Sequence, residues 1–191
     1  MPVTERIQEP GAYYNVGVRG ARQLPISFDD RDRRFYVWLF AATVRRFDWR
    51  CYAWCLMPNH VHLVIQITQI NLSNGMYFLN HAYACWLNRR HGYSGHAFDR
   101  RFYAGEVESD SHLFELARYV VLNPVRAGLC ESPEDWPWSS HRAVIGAERQ
   151  PFVETDRLLA HFGRTRERAI ENYVEFIAEG LEARREVVTK S

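Results

Sequence analysis

Leu56-Met57-Pro58-Asn59-His60-Val61-His62-Leu63-Val64-Ile65-Gln66 runs from a proline-containing turn straight into an alternating segment with two histidines two residues apart. In a β-strand residues i and i+2 share a face, so His60 and His62 stand side by side while Val61, Leu63, Ile65 and Ile67 face the other way. Two neutral imidazoles with an open approach can begin a divalent metal site, which a third ligand from elsewhere would complete with room left for substrate. A His-x-His on a strand is more often an ordinary polar face than a metal site. The preceding stretch, Trp49 to Met57, also alternates, with Tyr52, Trp54 and Leu56 on one side and Cys51, Ala53 and Cys55 on the other. The Pro58-Asn59 turn makes it the hairpin partner of the histidine strand.

Upstream, Ala12 to Arg19 is rich in β-formers and predicts a first strand ended by Gly20. Asp29-Asp30 suit the start of a helix over about residues 30–47, with Phe35, Trp38, Leu39, Ala42 and Phe47 at helical spacing. Downstream, Asn71 to Asn74 offer caps for a second helix whose stripe is Met76, Leu79, Tyr83, Trp86 and Leu87, ending at Gly92. Residues 101–107 read as a fourth strand. Asp110-Ser111 cap a third helix with Leu113, Leu116, Ala117 and Val120 on its inner face. The order β-α-β-β-α-β, then α, predicts an α+β, ferredoxin-like antiparallel sheet with helices on one face and the histidines on the open one. Residues 1–130 form this domain. Residues 131–191 form a helical extension, with a turn-rich start through Trp136-Pro137-Trp138-Ser139-Ser140 and helices near 155–162 and 165–181.

With 191 residues, 47% hydrophobic and 25% charged, the chain suits one substantial core. No apolar run is long enough to cross a bilayer and Met1 to Arg6 lacks a secretory layout, so a cytoplasmic protein is expected. Cys51, Cys55, Cys85 and Cys130 include no C-x-x-C pair, which argues against zinc-knuckle or redox chemistry and for buried free thiols. The net charge of +1 hides an asymmetry: +4 over residues 1–130 and −3 over 131–191. All but one of the 24 basic residues are Arg, whose guanidinium binds phosphate bidentately and stacks on bases.

In the third helix Tyr119 and Asn123 lie four apart, on one face beside the apolar stripe. Pro124 predicts that the helix ends at or near Asn123, which frees that side chain to be a third metal ligand or simply a C-terminal cap. Tyr119 is a candidate nucleophile, or one of ten tyrosines packing with an apolar body and a polar tip.

Pro58-Asn59-His60-Val61-His62, then Tyr119 to Leu129, then Trp136-Pro137-Trp138-Ser139-Ser140 resemble, in that order and spacing, the HUH-type single-tyrosine transposases associated with repetitive extragenic palindromes (REP). The resemblance covers about residues 10–145. It implies that His60, His62 and Asn123 hold Mg²⁺ or Mn²⁺ and that Tyr119 attacks single-stranded DNA, leaving a 5′-phosphotyrosine that conserves bond energy for rejoining. Arg19, Arg100, Arg101, Arg118 and Arg126 become candidate phosphate contacts, and the interleaved aromatics candidate base stackers. The expected partner is single-stranded or hairpin DNA, with no membrane, bound by a monomer or homodimer. Two positions depart from the family pattern: Asn15 stands where a histidine is common, and Ala21 where an asparagine follows Arg-Gly. A hairpin-binding protein that does not cut is the alternative from another class, and a metal-dependent hydrolase using the histidine pair alone is a third.

Overall fold

Each alternating stretch forms a strand and each 3.6-period stretch a helix, in a computed structural model that describes residues 8–99 and 101–189, with side chains through Leu181. The strands are β1 (Tyr13–Arg19), β2 (Arg50–Leu56), β3 (His60–Gln66) and β4 (Tyr103–Val107), in the order β2-β3-β1-β4 with every neighbour antiparallel. Helices α1 (Asp30–Arg46) and α2 (Leu72–His91) follow β1 and β3, and α3 (Asp110–Arg126) follows β4. This is the expected ferredoxin-like α+β arrangement.

α1 and α2 cover one face, burying Val16, Val18, Trp54, Leu63 and Ile65 against Tyr36, Phe40, Met76 and Tyr83. Asp29 caps α1 by accepting the Asp32 N–H at 3.0 Å, but the buried stripe is Tyr36, Leu39, Phe40, Thr43 and Val44, so Trp38 points outward, 60% exposed. Asn71 does not cap α2. Its side chain instead accepts from the Trp49 indole N–H and donates to the Phe47 carbonyl, both at 2.8 Å, while Gln8 Oε1 takes the Leu72 N–H. Gly75 is required here because any Cβ would stand 2.2 Å from the Trp49 ring.

The expectation of helices on a single face is corrected by α3, which lies across the other face over β2 and β3. Its stripe of Leu113, Ala117, Val120 and Val121 needs burial, and Tyr52, Ala53, Cys55 and Val64 provide an apolar floor for it. Tyr52 reaches that face because a bulge between Cys51 and Ala53 breaks the alternation expected along β2. Ser109, rather than Asp110 or Ser111, is the N-cap, accepting from the His112 N–H at 3.2 Å. α3 also runs on through Pro124 to Arg126 instead of stopping at Asn123.

Among the described residues the C-terminal segment shares the core beneath α3. Residues 136–140 run along the outer edge of β2, with Leu56 N–H donating to Trp138 O and Ser140 N–H to Trp54 O, both at 2.9 Å. That contact covers a sheet edge that would otherwise offer unpaired backbone groups. Beyond α4 (His141–Val144) and α5 (Thr155–Leu159), α6 (Arg166–Thr189) packs Tyr173 and Ile177 against the core beneath α3. Cys51 and Cys55 are buried as expected, whereas Cys85 is exposed and Cys130 partly so. Among the described residues no helix is long and apolar enough to cross a membrane.

Candidate active site

β3 opens the site. In register with β1, His60 stands opposite Arg19 and His62 opposite Gly17, so both imidazoles rise from the face that α3 covers only in part. Their ring centroids are 5.0 Å apart at 88°. Burial is the main reason the His62 imidazole is pushed down to about 4, with help from His60 and Arg19. Burial and then Arg19 lower His60 in the same direction. Both rings are therefore neutral at pH 7, the form that donates a lone pair to a metal.

The turn before β3 also fixes which nitrogen of His60 is free. The Asn59 amide nitrogen donates to the Gln23 carbonyl at 3.2 Å, so its Oδ1 is the atom 2.7 Å from His60 Nδ1 and accepts a hydrogen bond from the Nδ1–H. Nε2 is left as the lone-pair nitrogen, the arrangement that orients histidine ligands. Asn59 is thus a positioning residue that reading the motif alone passed over. The turn it grips is tight: Gly20 N–H donates to the Asn59 carbonyl at 2.8 Å, and Arg22 and Gln23 hold φ of 55° and 62°. Gly20 admits no side chain, since a Cβ would lie 2.1 Å from the Leu24 carbonyl oxygen.

α3 delivers Tyr119 to the histidines. Its ring lies 5.5 Å from that of His62 at 85°, edge to face, and the residue is 40% exposed. The Arg126 guanidinium sits 5.3 Å above the same ring, so a cation faces the π-system of the candidate nucleophile. Asn123 is on the same side one turn on. Pro124 has no N–H to give the Val120 carbonyl, and Asn123 Nδ2 substitutes at 3.4 Å while also donating to the Tyr119 carbonyl at 2.8 Å. With the amide nitrogen turned to the helix, Oδ1 is the end directed away from it. Two imidazoles and one amide oxygen suit a loosely held Mg²⁺ or Mn²⁺. Among the described residues no group of three or more His, Cys, Asp or Glu could hold a metal.

The arginines separate. Arg19 is exposed and near enough for its charge to depress both imidazoles. Arg101 is exposed just ahead of β4, and Arg100 lies outside the described residues. Arg118 is engaged within the protein: it pairs with Glu115 at 2.6 Å, donates to the Phe176 carbonyl at 3.2 Å and stacks on the Phe176 ring, which ties α6 to α3. Asn15 stands one register step beyond Gly17, with its Oδ1 buried and without a hydrogen-bond partner.

A tyrosine and two imidazoles are thus brought together on a ferredoxin-like sheet. The chain belongs to the IS200-like transposase family, whose description matches residues 21–123, a span that includes His60, His62, Tyr119 and Asn123. It is 26% identical over 123 residues to a Haemophilus influenzae protein named as a REP-associated tyrosine transposase, covering 59% of this chain and 70% of that one. In fold it is similar to the structure of a REP-associated tyrosine transposase bound to a REP hairpin, with a TM-score of 0.63 at 17% identity, covering 80% of this chain and 90% of that one.

Proposed function

We propose that this protein nicks and rejoins single-stranded DNA beside a hairpin-forming, REP-like repeat, through a 5′-phosphotyrosine on Tyr119. The observation that carries the reading is the half-exposed Tyr119 ring set edge-on to His62, on a site whose imidazoles are held neutral. His60, His62 and Asn123 would hold Mg²⁺ or Mn²⁺, and when bound that ion supplies positive charge that polarises the phosphate and favours the phenolate. Asn59 keeps His60 Nε2 available as a donor. Arg126, over the Tyr119 ring, offsets the negative charge that develops as the phenol loses its proton. Arg19 faces incoming phosphate at the edge of the histidine pair. The Tyr119 oxygen then forms a bond to phosphorus as the 3′-oxygen of the neighbouring nucleotide leaves. Attack by a 3′-hydroxyl on the phosphotyrosine reverses the step without ATP.

The experiment is incubation of labelled hairpin DNA carrying a single-stranded flank with the protein and Mn²⁺, followed by denaturing electrophoresis. A band of covalent protein–DNA adduct is expected. Binding without an adduct would instead mean a hairpin-recognition protein, and cleavage without an adduct a hydrolase.

A further inference from the structure

Gly17 occupies the register position between His62 on β3 and Tyr103 on β4. It has no side chain to separate them. Two strand spacings, about 10 Å, therefore part the His62 and Tyr103 backbones across an unobstructed floor. Tyr103 is 63% exposed, high for an aromatic side chain in a sheet. Its ring leans over Gly105, where a Cβ would meet the Tyr103 hydroxyl at 2.6 Å and Cζ at 3.3 Å. Glycine at 105 thus lets the ring lie along the sheet, one face on backbone and the other open. The hydroxyl reaches to the level of Gly105 and Asn15, one register step away from His62, so Tyr103 is not placed to act as a second nucleophile.

From this juxtaposition we infer that Tyr103, laid over Gly105 and separated from His62 only by Gly17, is a stacking subsite for the nucleobase flanking the scissile phosphate. The occupant is a base of single-stranded DNA, because Tyr103 rises from the same face of the sheet as His62, in register with it across Gly17. Arg19 lies on the same face of β1, two residues from Gly17, and supplies the charge that draws the backbone in. A π-face accepts any base, so the subsite holds the strand in place with little sequence preference. Sequence selection then falls to the hairpin and to other contacts.

The inference rests on His60, His62 and Tyr119 being the cleavage site, and its test is made to fail separately. Binding of the hairpin with its single-stranded flank is measured by fluorescence anisotropy in EDTA, where no adduct forms, across a range of salt. Tyr103→Ala is expected to bind about ten- to a hundredfold more weakly, with an unchanged salt slope because no phosphate contact is lost. Tyr103→Phe is expected to bind within about twofold of wild type. With 2-aminopurine scanned through the flank, wild type and Tyr103→Phe should quench it at one position and Tyr103→Ala should not. Tyr103→Trp, which keeps the stacking surface, guards against a folding defect in the Ala variant and should restore both signals. Unchanged affinity and quenching in Tyr103→Ala, or equal losses in Tyr103→Phe, would overturn the subsite. Failure of wild type to form an adduct with Mn²⁺ would strike the nicking reading and leave these binding results to be judged on their own.

Discussion

Two of the molecule's histidine–tyrosine ring pairs, one at the candidate site and one beneath α6, have nearly equal spacing and opposite fates. His62 and Tyr119 are 5.5 Å apart between ring centres, and His141 and Tyr173 are 5.6 Å apart. The second pair is enclosed: His141 meets Glu134 at 3.1 Å through Nε2 and the Tyr173 hydroxyl at 3.4 Å through Nδ1, and Tyr173 is only 1% exposed. Each ring nitrogen there has a partner inside the protein, so the pair pins α6 to the Ser139-Ser140 segment. At the first pair Tyr119 is 40% exposed and lies edge to face with the His62 ring. Proximity of residue types does not make a reactive site; remaining bonding capacity and access do.

The largest effect that separates the two pairs is on the adduct. Tyr119→Phe should abolish adduct formation while hairpin binding and melting temperature hold, since only a half-exposed hydroxyl is removed. Tyr173→Phe should leave the adduct intact and cost about 1 kcal/mol of stability through its lost hydrogen bond. An active Tyr119→Phe variant would dissolve the distinction.

Histidine replacements should then divide along the same line. His60→Ala or His62→Ala is expected to eliminate Mn²⁺-dependent cleavage and to cost about 1 kcal/mol or less in denaturant unfolding. His141→Ala should cost about 2–4 kcal/mol, because it leaves a cavity and strands buried partners, while the fraction that remains folded still cleaves. Calorimetric Mn²⁺ titration should lose its signal only in the first two.

Smaller changes are expected one step out from the histidines. Asn59→Ala should raise the Mn²⁺ concentration for half-maximal cleavage about ten- to a hundredfold, since His60 would lose the partner that fixes its tautomer. Asn123→Ala should raise it too. Asn123→Asp should keep metal affinity but melt lower, because a carboxylate replaces the amide donor against the Tyr119 and Val120 carbonyls near a helix C-terminus. Overlapping Mn²⁺ curves for wild type and Asn123→Ala would remove Asn123 from the site.

The smallest effect is on stability against pH. Burial lowers His141 below its ordinary range despite Glu134, and takes His62 to about 4. The unfolded chain therefore takes up protons first, and stability present at neutral pH is lost as pH falls through about 6.5 toward the folded values. Metal-free protein should melt lower at about pH 5.5 than at about pH 7, with a shallower dependence in His141→Asn. An unchanged slope in that variant would mean His141 holds its proton equally in the folded and unfolded chain, and a steeper one that the fold favours its charged form.

Much of this was legible in the sequence because its causes are local. Alternation in Tyr13–Arg19 and His60–Gln66, the Pro58-Asn59 turn and the i,i+4 relation of Tyr119 to Asn123 follow from backbone periodicity alone. What could not be read depends on contacts that backbone periodicity does not encode. Pro124 does not stop α3 because Asn123 supplies the missing donor and Pro124 itself is buried. Arg118 resembles any other arginine of the basic half until α6 folds onto it. The covering of the second sheet face by α3 hinges on the bulge at Tyr52, which the alternation of β2 conceals. The role of Asn59 needed only its adjacency to His60 and the demand that a ligand imidazole be oriented, a signal present in the motif.

The most direct test of Tyr119 as the reacting group is to trap the adduct on hairpin DNA with Mn²⁺, digest protein and DNA, and locate the nucleotide-bearing peptide by mass spectrometry. The phosphotyrosine should map to Tyr119 within the α3 segment ending at Arg126. A stable adduct on Tyr103, Tyr173 or any other side chain, or none under conditions where the DNA is cut, would contradict the assignment.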